Sequence, residues 1–338
     1  KQKTAYEIST RDWSSDVCSS DLGDTMEGFD GYEKHFIGTD LFDVENHVRR
    51  LETISFHGGR YWPIEAAIWD AIGKAKQKSV AELFGGVDKS IPAYASTGAV
   101  MTPAERAESA KKIRDLGFKA LKIRVPQSDL DLGVKTLKAI REAVGNDLQI
   151  MVDLNQAWRM PGDIRDPLDF KTVSNFLDAC VDYQVFWLEE PLPMEDIDGL
   201  RKLQGRGVKI AGGEMVRTIH EVRTLLAADA LDVYQMDVVL SVGLHHTNEI
   251  AKKAKALGKI FTPHTWSNGY GLMANLQVTA GIGGAPFIEF PFDPPTWSTE
   301  RRDFLLEKSI EVDDSGNLWV PEESGMGCKP NASLLQTV

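Results

Sequence analysis

The sequence predicts an α/β fold, a barrel of the TIM type, and three observations support this prediction. From residue 91 the chain alternates between short apolar runs, typical of buried strands, and amphipathic segments, typical of helices. Eight such β-units with helical crossovers fall within residues 91–290, a length that suits a barrel. No glycine-rich phosphate loop follows the first strand, which disfavours the alternative, a doubly wound open sheet.

Eight predicted strands follow one another along the chain. They are IPAYAST, KALKIRV, LQIMVD, VFWLE, VKIAGG, DVYQM, KIFTP and FIEF. The clearest helices between them are PAERAESAKKIRDLG, LGVKTLKAIREAVG, FKTVSNFLDACVD, HEVRTLLAAD and HHTNEIAKKAKALG. Many of these segments end at or just before glycine, as helix C-termini prefer. After Phe290 the alternation stops in a proline-rich stretch, and we expect residues 291–338 to return to a small domain outside the barrel.

Helical patterns also precede the barrel, within residues 23–90. Asp43 is a candidate N-cap for VENHVRRLETI, and a stronger helix follows at PIEAAIWDAIGKAKQ, with Pro63 near its start. The apolar face predicted for this second helix comprises Ile64, Ala67, Ile68, Ala71 and Ile72. Because these helices come before the alternating region, residues 23–90 are predicted to belong to a separate small domain.

Residues 1–22 fit neither the period of a helix nor that of a strand. Residues 9–22 read STRDWSSDVCSSDL, a run rich in Ser and Asp. One interpretation is a disordered polar leader. The other is a non-native segment, because the run resembles the translation of a sequencing-adapter read. The second interpretation makes Cys18 spurious and implies that the original N-terminal segment has been lost.

Composition narrows the classes of function. The net charge of −12 would repel nucleic-acid phosphates, so no nucleic-acid partner is expected. No apolar stretch approaches the roughly 20 residues that span a bilayer, and no apolar signal-peptide core is visible. Three cysteines without metal-type spacing predict a reducing, cytoplasmic environment and no disulfide framework.

Three acidic residues stand at the ends of three successive apolar runs. LQIMVD ends at Asp153, FWLEE reaches Glu189, and VKIAGGE ends at Glu214. The carboxyl ends of barrel strands meet at one face of the barrel, where the active sites of such enzymes lie. Carboxylate oxygens are the ligands that hard cations prefer in proteins. The sequence therefore predicts a Mg²⁺ site at this face.

The other predicted strands also end in ionisable residues. Lys122 and Arg124 are spaced i and i+2, so both side chains point to the same side of their strand, and Asp237, His264 and Glu289 end later strands. Each residue alone is more often a helix cap or a solvated loop residue. Seven consecutive strands with such ends are hard to explain in that way, because an unpaired charge inside a barrel mouth costs several kcal/mol.

In chain order these motifs read KIR, DLN, EEP, GGE, QMD, PHT and IEF, and they resemble the enolase superfamily, in particular its mandelate racemase/muconate lactonizing enzyme family. The resemblance spans roughly residues 40–325, including IEAAIWDAIGKA and ELFGG. It implies a (β/α)7β barrel with an α+β capping domain built from both chain ends. Residues 23–90 would then be an N-terminally truncated remnant of that cap, and residues 291–338 its C-terminal part.

The resemblance also implies roles for the residues at the strand ends. Mg²⁺ would be held by Asp153, Glu189 and Glu214, and the reaction would begin with abstraction of the proton α to a substrate carboxylate. Asp237 and His264 would form a dyad in which the aspartate orients the ring and the histidine moves the proton. Lys122 would add a positive charge on the far side of the substrate. Glu289, if protonated, would donate a hydrogen bond to the enediolate oxygen.

The chain departs from the family's racemases at one position. Racemases use two bases, the second being the last Lys of K-x-K, and Arg124 stands there in this sequence. A guanidinium is not expected to deprotonate, so a two-base 1,1-proton transfer is disfavoured. One base suffices for dehydration, and the resemblance then favours the acid-sugar dehydratases, which convert aldonic or aldaric acids to 2-keto-3-deoxy acids. Arg124 would bind a carboxylate or hydroxyl of the substrate.

Several loop residues are candidates for contacts with a polyol chain. They are Asn155, Trp158, Arg159, Trp266 and Asn268, and ordinary loop packing is an equally good explanation for them. The alternatives to a dehydratase are an epimerase or cycloisomerase of the same superfamily and a catalytically impaired, truncated barrel. A truncated cap is expected to leave apolar surface exposed on the remaining helices, and the full-length protein is expected to form homo-oligomers.

Overall fold

The computed structural model describes residues 32–57, 59–159 and 162–334. The predicted leader, residues 1–22, lies outside the described residues, as do residues 23–31 of the predicted cap remnant. After a 3₁₀ turn the described part begins with three helices, which are α1 (Val44–His57), α2 (Trp62–Lys76) and α3 (Val80–Phe84). The predicted truncation of the cap stays a prediction.

An alternating α/β region follows, and its strands agree closely with the eight predicted from the sequence. They are β1 (Ser90–Ser96), β2 (Ala120–Arg124), β3 (Gln149–Asp153), β4 (Val185–Glu189), β5 (Lys209–Gly212), β6 (Val233–Tyr234), β7 (Ile260–Phe261) and β8 (Ile288–Pro291). The helices between them are α4 (Pro103–Asp115), α5 (Leu130–Val144), α6 (Phe170–Asp182), α7 (Ile197–Leu203), α8 (Ile219–Ala227), α9 (Gly243–Ala256) and α10 (Gly269–Ile282). The alternation of strand and helix is therefore as predicted.

The eight strands form one curled parallel sheet in the order β7-β6-β5-β4-β3-β2-β1-β8. The two outermost strands meet through side-chain hydrogen bonds, because Thr262 Oγ1 donates to the main-chain oxygen of Phe287 at 2.6 Å and Thr265 Oγ1 to that of Glu289 at 2.7 Å. This arrangement is consistent with a TIM-type barrel. It brings the carboxyl ends of all eight strands to the same face.

The interior of the curled sheet explains which side chains reach that face. One apolar cluster takes a residue from each of β1 to β6, namely Tyr94, Ala120, Met151, Trp187, Ala211 and Val233. Successive side chains of a strand point to opposite faces, so the residue two positions further on points inward again. Lys122, Asp153 and Glu189 are two positions beyond members of this cluster. They therefore lie on top of it, at the carboxyl ends of the strands.

The helices before the barrel have a small core of their own. Val48, Leu51, Ile54, Tyr61 and Trp62 are buried together, and Ile64 and Ile68 pack against them. The apolar face predicted for α2 is only partly buried, and its deeply buried residues are Trp62, Glu65, Ile72 and Gly73. The reason is that α2 packs on α9 through Glu65, whose buried carboxylate binds main-chain N–H groups of α9. Large apolar side chains remain exposed in this part, with Ile37 76% and Phe56 85% exposed.

Glu65 joins α2 to the barrel. Its Oε2 accepts the N–H of Leu244 at 3.0 Å and its Oε1 accepts that of His245 at 2.7 Å, both in the first turn of α9. A carboxylate is favourable there because the first N–H groups of a helix have no partner within the helix. Gly243 has φ +81°, and a Cβ there would lie 2.0 Å from Glu65 Oε2, so this close approach requires glycine.

The C-terminal segment returns to the beginning of the barrel. After the short helix α11 (Thr299–Arg302), strand β9 (Asn317–Trp319) pairs antiparallel with β1. Beyond β9, Met326 N donates to Asp70 Oδ1 of α2 at 2.8 Å. Residues 291–334 thus contact both the barrel and the helices that precede it. Within the described part of the chain, no helix has the length and apolar character to cross a membrane.

Candidate active site

Three carboxylates meet at the carboxyl ends of β3, β4 and β5. Asp153 and Glu189 are the last residues of their strands and are paired in register, and Glu214 follows β5. All three side chains are buried, and one carboxylate oxygen of each lies within 4.8 Å of the other two. Burial, together with the proximity of other carboxylates, raises the pKa of all three groups. Such a buried all-oxygen set suits a hard divalent cation, whose charge offsets the repulsion.

Neighbouring side chains hold these carboxylates in place. Asn155, in the left-handed region with φ +46°, donates from Nδ2 to Asp153 Oδ2 at 2.8 Å and from its main-chain N–H to Oδ1 at 2.8 Å. Trp158 Nε1 donates to Glu214 Oε1 at 2.8 Å. Partners of this kind orient ligands and tune their affinity for a metal. Asn155 and Trp158, which the sequence predicts as substrate contacts, thus contact the predicted metal ligands.

Glu189 has the most donors of the three. Its Oε2 accepts hydrogen bonds from Gln235 Nε2 at 2.8 Å and Trp187 Nε1 at 3.0 Å. Its Oε1 lies 2.5 Å from Lys122 Nζ. Gln235 and Trp187 were not predicted as site residues, although QMD and FWLEE are parts of the motifs. The inward direction of Trp187 follows from strand alternation, because it stands two residues before Glu189.

Lys122 joins two carboxylates. Besides Glu189, its Nζ contacts Glu289 Oε1 at 2.8 Å, and its side chain is only 5% exposed. Burial alone would lower the pKa of Lys122, but the two carboxylates raise it well above its usual value. These contacts therefore favour the positively charged form of Lys122.

Glu289 lies between Lys122 and the main chain of Thr265. Burial alone would raise its pKa, but Lys122 and His264 lower the pKa to about 2. Its Oε2 also accepts the main-chain N–H of Thr265 at 2.6 Å. The lowered pKa favours the ionised carboxylate, which accepts hydrogen bonds, whereas the role that the resemblance implies for Glu289 requires the protonated form. The physical reason is the adjacent ammonium group, which the sequence pattern does not place.

Asp237 and His264 form the predicted pair. His264 Nδ1 lies 3.0 Å from Asp237 Oδ2, and both side chains are buried. A carboxylate accepts hydrogen bonds, so this contact suits a ring proton on Nδ1, and in the neutral form of the ring the lone pair is then on Nε2. Nε2 lies 3.6 Å from Glu214 Oε2, on the side of the carboxylate cluster. A proton acceptor thus stands beside the candidate metal site.

A cleft of about 400 Å³, partly open to solvent, collects most of the predicted site residues. The residues that line it are Ser96, Thr97, Lys122, Arg124, Asp153, Asn155, Trp158, Glu214, His264, Trp266 and Glu289. Arg124 Nε is buried and has no hydrogen-bond partner among the described residues. Trp266 stacks on Trp297, with ring centroids 5.6 Å apart. Arg124 and Trp266 therefore present a cation and an aromatic wall to the cleft.

Two predicted substrate contacts lie elsewhere. Asn268 is not among the residues that line the cleft, because it is the N-cap of α10 and its Oδ1 accepts the N–H groups of Tyr270 at 3.0 Å and Gly271 at 3.2 Å. Arg159 donates to the main-chain oxygens of Gln156 and Trp158. The structure therefore gives both side chains local hydrogen bonds, and their contacts with a substrate stay a prediction.

Glu190 is a buried carboxyl group close to the carboxylate cluster, and the sequence analysis did not predict its burial. It follows Glu189 with φ +44°, it is fully buried, and neither carboxylate oxygen has a hydrogen-bond partner within the described residues. Burial raises the pKa of Glu190 well above its usual range, and the nearby Glu214 and Asp153 raise it further. The EEP motif contained the signal, since a second acid directly after a buried strand is unusual, but its burial depends on the turn that follows β4.

The chain resembles known proteins in both sequence and structure. Residues 105–334 match the family described as enolase C-terminal domain-like. Arabinonate dehydratase of Saccharolobus solfataricus is 29% identical over 272 residues, which cover 78% of this chain and 68% of that protein. D-galactarolactone cycloisomerase of Agrobacterium fabrum is 28% identical over 284 residues, which cover 80% and 71%. The crystal structure of 3,6-anhydro-D-galactonate cycloisomerase from Zobellia galactanivorans matches with a TM-score of 0.80 and 25% identity, over 94% of this chain and 87% of that one.

These comparisons confirm the resemblance inferred from the strand-end motifs. The family match covers more than half of the chain and includes the described carboxylate cluster, the Asp237–His264 pair and Glu289. The protein belongs to the enolase superfamily, among relatives named as sugar acid dehydratases and cycloisomerases.

Proposed function

We propose that this protein is a Mg²⁺-dependent hydro-lyase that dehydrates an aldonic or aldaric acid to a 2-keto-3-deoxy acid. The observation that carries the proposal is the make-up of the cleft. Of the described residues that line it, His264 is the one imidazole, and Arg124 stands where β2 would offer a second base. Lys122 is held protonated by two carboxylates. A cleft with one base favours elimination over 1,1-proton transfer.

The residues present fit a divalent cation. Asp153, Glu189 and Glu214 would hold it, as a buried set of carboxylates with adjacent oxygens. When bound, such a cation acts as a Lewis acid that stabilises negative charge developing on the substrate carboxylate. The raised pKa values of the three carboxylates agree with this assignment, because a site built for a cation is crowded with negative charge in its absence.

The chain's own residues then account for the proton transfers. His264 Nε2 accepts the proton from C2 of the substrate, and Asp237 stabilises the imidazolium through Nδ1. Lys122 contributes a fixed positive charge near the developing enediolate. The bond between C3 and its hydroxyl oxygen then breaks, and the hydroxide leaves as water with a proton supplied by His264 or a second donor. The resulting enol tautomerises to the 2-keto-3-deoxy acid, so that the net change is loss of one water.

Arg124 and Trp266 are the residues that we propose for recognition of the remaining chain of the acid. A guanidinium binds a carboxylate or a pair of hydroxyls through two parallel hydrogen bonds. The indole face of Trp266 suits the C–H groups of a sugar chain. These contacts would set which acid is accepted, since the chemistry at C2 is common to all of them.

A cycloisomerase is the second candidate, because a relative of comparable identity is named as one. Both reactions need a base next to a stabilised carboxylate, so the two candidates share His264. They differ in the bond that breaks at C3. The carboxylate cluster alone does not discriminate between them.

Proton NMR in D₂O with Mg²⁺, over a panel of aldonic and aldaric acids and their lactones, tests the proposal. Loss of substrate signals together with new 2-keto-3-deoxy signals is the expected result. Deuterium exchange or epimer signals without elimination would favour an epimerase, and conversion of lactones alone would favour a cycloisomerase. Absence of any exchange in a sample that binds Mg²⁺ by calorimetry would contradict the proposed function and favour the impaired barrel.

A further inference from the structure

We propose that Asn275 is a positioning residue that sets the orientation of Asp237 and, through it, of the base His264. The proposal rests on the proposed function, in which His264 accepts the α-proton. Asn275 lies in the middle of α10, and its side chain is fully buried. A buried amide needs hydrogen-bond partners, and the partners indicate its role.

The amide has three partners that define its direction. Asn275 Nδ2 donates to Asp237 Oδ1 at 3.1 Å and to the main-chain oxygen of Gly271 at 3.1 Å. Asn275 Oδ1 accepts the main-chain N–H of Val238 at 3.0 Å. A flipped amide would set its oxygen against two oxygens and its NH₂ group against an N–H. Asn275 therefore presents a donor to the carboxylate.

This donor determines which carboxylate oxygen faces the histidine. Asp237 Oδ1 accepts the hydrogen bond from Asn275 and a second one from the main-chain N–H of Val239 at 2.9 Å. With Oδ1 held on one side, Oδ2 is directed at His264 Nδ1, 3.0 Å away. Rotation of the carboxylate would break both bonds to Oδ1. A neutral His264 consequently keeps its lone pair on Nε2, the atom on the side of Glu214.

The amide also joins α10, which follows the His264 loop, to the loop that carries Asp237. Asp237 and its neighbour Val238 follow β6, whereas His264 follows β7 and precedes α10. Asn275 belongs to α10 and is hydrogen-bonded to the loop after β6 on both sides of its amide. It thus fixes the distance between base and orienting carboxylate, a distance on which the rate of proton transfer depends.

Two isosteric variants on the same helix separate this role from a structural one. Asn275→Asp replaces the donor by an oxygen that faces Asp237. Gln277→Glu is the matched control, because Gln277 is equally buried, donates to the main-chain oxygens of Pro321 and Met326, and has no hydrogen bond to the pair. Each variant replaces an NH₂ group by a carboxylate oxygen that faces other oxygen atoms, and these oxygens repel one another. Both variants are therefore expected to lower the melting temperature.

The kinetic effect should belong to Asn275 alone. We expect N275D to lower kcat at least about tenfold with KM within about twofold, because a misplacement of about 1 Å can cost about 100-fold in rate. Q277E should keep kcat within about twofold. Asn275→Ala, which removes the donor without adding a charge, should follow N275D and keeps the test open if N275D does not fold. Unchanged kcat in N275A, or an equal loss in Q277E, would overturn the proposal.

A second readout needs no substrate. The ¹⁵N side-chain spectrum of the wild-type protein should show His264 with its proton on Nδ1, assigned by its disappearance in His264→Gln. In N275A that signal should shift toward a mixture of tautomers, and in Q277E it should stay. If the wild-type enzyme acted on no sugar acid, the proposed function would fail while this spectrum still decided the role of Asn275. A wild-type spectrum in N275A would refute the inference.

Discussion

Trp158 donates its indole N–H to Glu214 Oε1 at 2.8 Å, so the loop after β3 is hydrogen-bonded to a candidate metal ligand that follows β5. The same side chain lines the cleft. A residue that lines the cleft and a candidate metal ligand are thereby joined by a hydrogen bond. Occupancy of the cleft and affinity for the cation should depend on each other through this contact.

Trp158→Phe is expected to weaken binding of a divalent cation about tenfold, because it removes the hydrogen bond that orients Glu214 but keeps an aromatic ring. Titration of Mn²⁺, followed by electron paramagnetic resonance, measures the change in Kd. Trp266→Phe is the control, since Trp266 lines the cleft and stacks on Trp297 without a hydrogen bond to a carboxylate. Equal affinities of the two variants would contradict the assigned role of Trp158.

Arg124→Lys should open a route that the wild-type protein lacks. The substitution restores a K-x-K pair on β2 and places a titratable amine in the cleft, where Arg124 now lies. In D₂O we expect recovered substrate to carry deuterium at C2 and epimer signals to appear, with KM raised about tenfold through loss of the guanidinium fork.

Arg124→Met is the matched control for this experiment, because it removes the same guanidinium and adds no base. It should raise KM without C2 epimerisation. Epimer formation by Arg124→Met, or its absence in Arg124→Lys despite measurable turnover, would refute the view that Arg124 prevents a second proton transfer.

The stability of the metal-free protein should fall as the pH rises. Burial, together with nearby carboxylates, raises the folded-state pKa of Asp153, Glu189 and Glu214 above the unfolded values. A raised carboxyl pKa gives stability that is present below the unfolded pKa and is lost as the pH rises through the folded one. The melting temperature without metal should therefore fall as the pH rises above the ordinary carboxyl pKa values of 3.8 and 4.5.

Added Mg²⁺ should reduce that fall, since a cation bound to the ionised carboxylates stabilises the folded state. Differential scanning calorimetry across the pH range measures both effects. Glu214→Gln removes one of the three groups and should flatten the metal-free curve. Glu289 contributes in the opposite sense, because its folded-state pKa is lowered to about 2. The stability that Glu289 contributes is lost only in acid, as the pH falls from the usual carboxyl pKa of 4.5 toward the lowered value. A metal-free curve that rises toward pH 8 would exclude this explanation.

Glu65→Ala should destabilise the protein by about 2–4 kcal/mol, because it leaves the buried N–H groups of Leu244 and His245 without their acceptor. Urea unfolding measures the change, best at about pH 8, since burial raises the pKa of Glu65 to about 7. Glu45→Ala on α1 is the control, because the Glu45 side chain is 75% exposed and should cost less than about 0.5 kcal/mol. Similar losses in both variants would count against the link between α2 and α9.

Much of the site could be predicted from strand ends. Each barrel strand buries alternate residues, so Asp153, Glu189 and Lys122 had to point into the barrel once their strands were recognised. Parallel order then brings their carboxyl ends to one face. Strand alternation and the order of the motifs were therefore enough to predict the fold class and the carboxylate cluster.

Contacts between side chains from different strands were decided only by the tertiary structure. The contact of Lys122 with Glu289 favours the ionised form of a carboxyl group whose protonation the sequence left open, and the N-cap role of Asn268 depends on where α10 begins. Asn275 and Gln235 are ordinary amides in the sequence and acquire roles from neighbours 38 and 46 positions away.

The physical reason lies in the range of the interactions. Periodicity and strand ends are local properties, determined by backbone geometry over a few residues, and the sequence alone determined those. A pKa, a tautomer or the direction of an amide depends on groups within about 4 Å in space, and only the closing of the sheet and the packing of α10 against it brings such groups together.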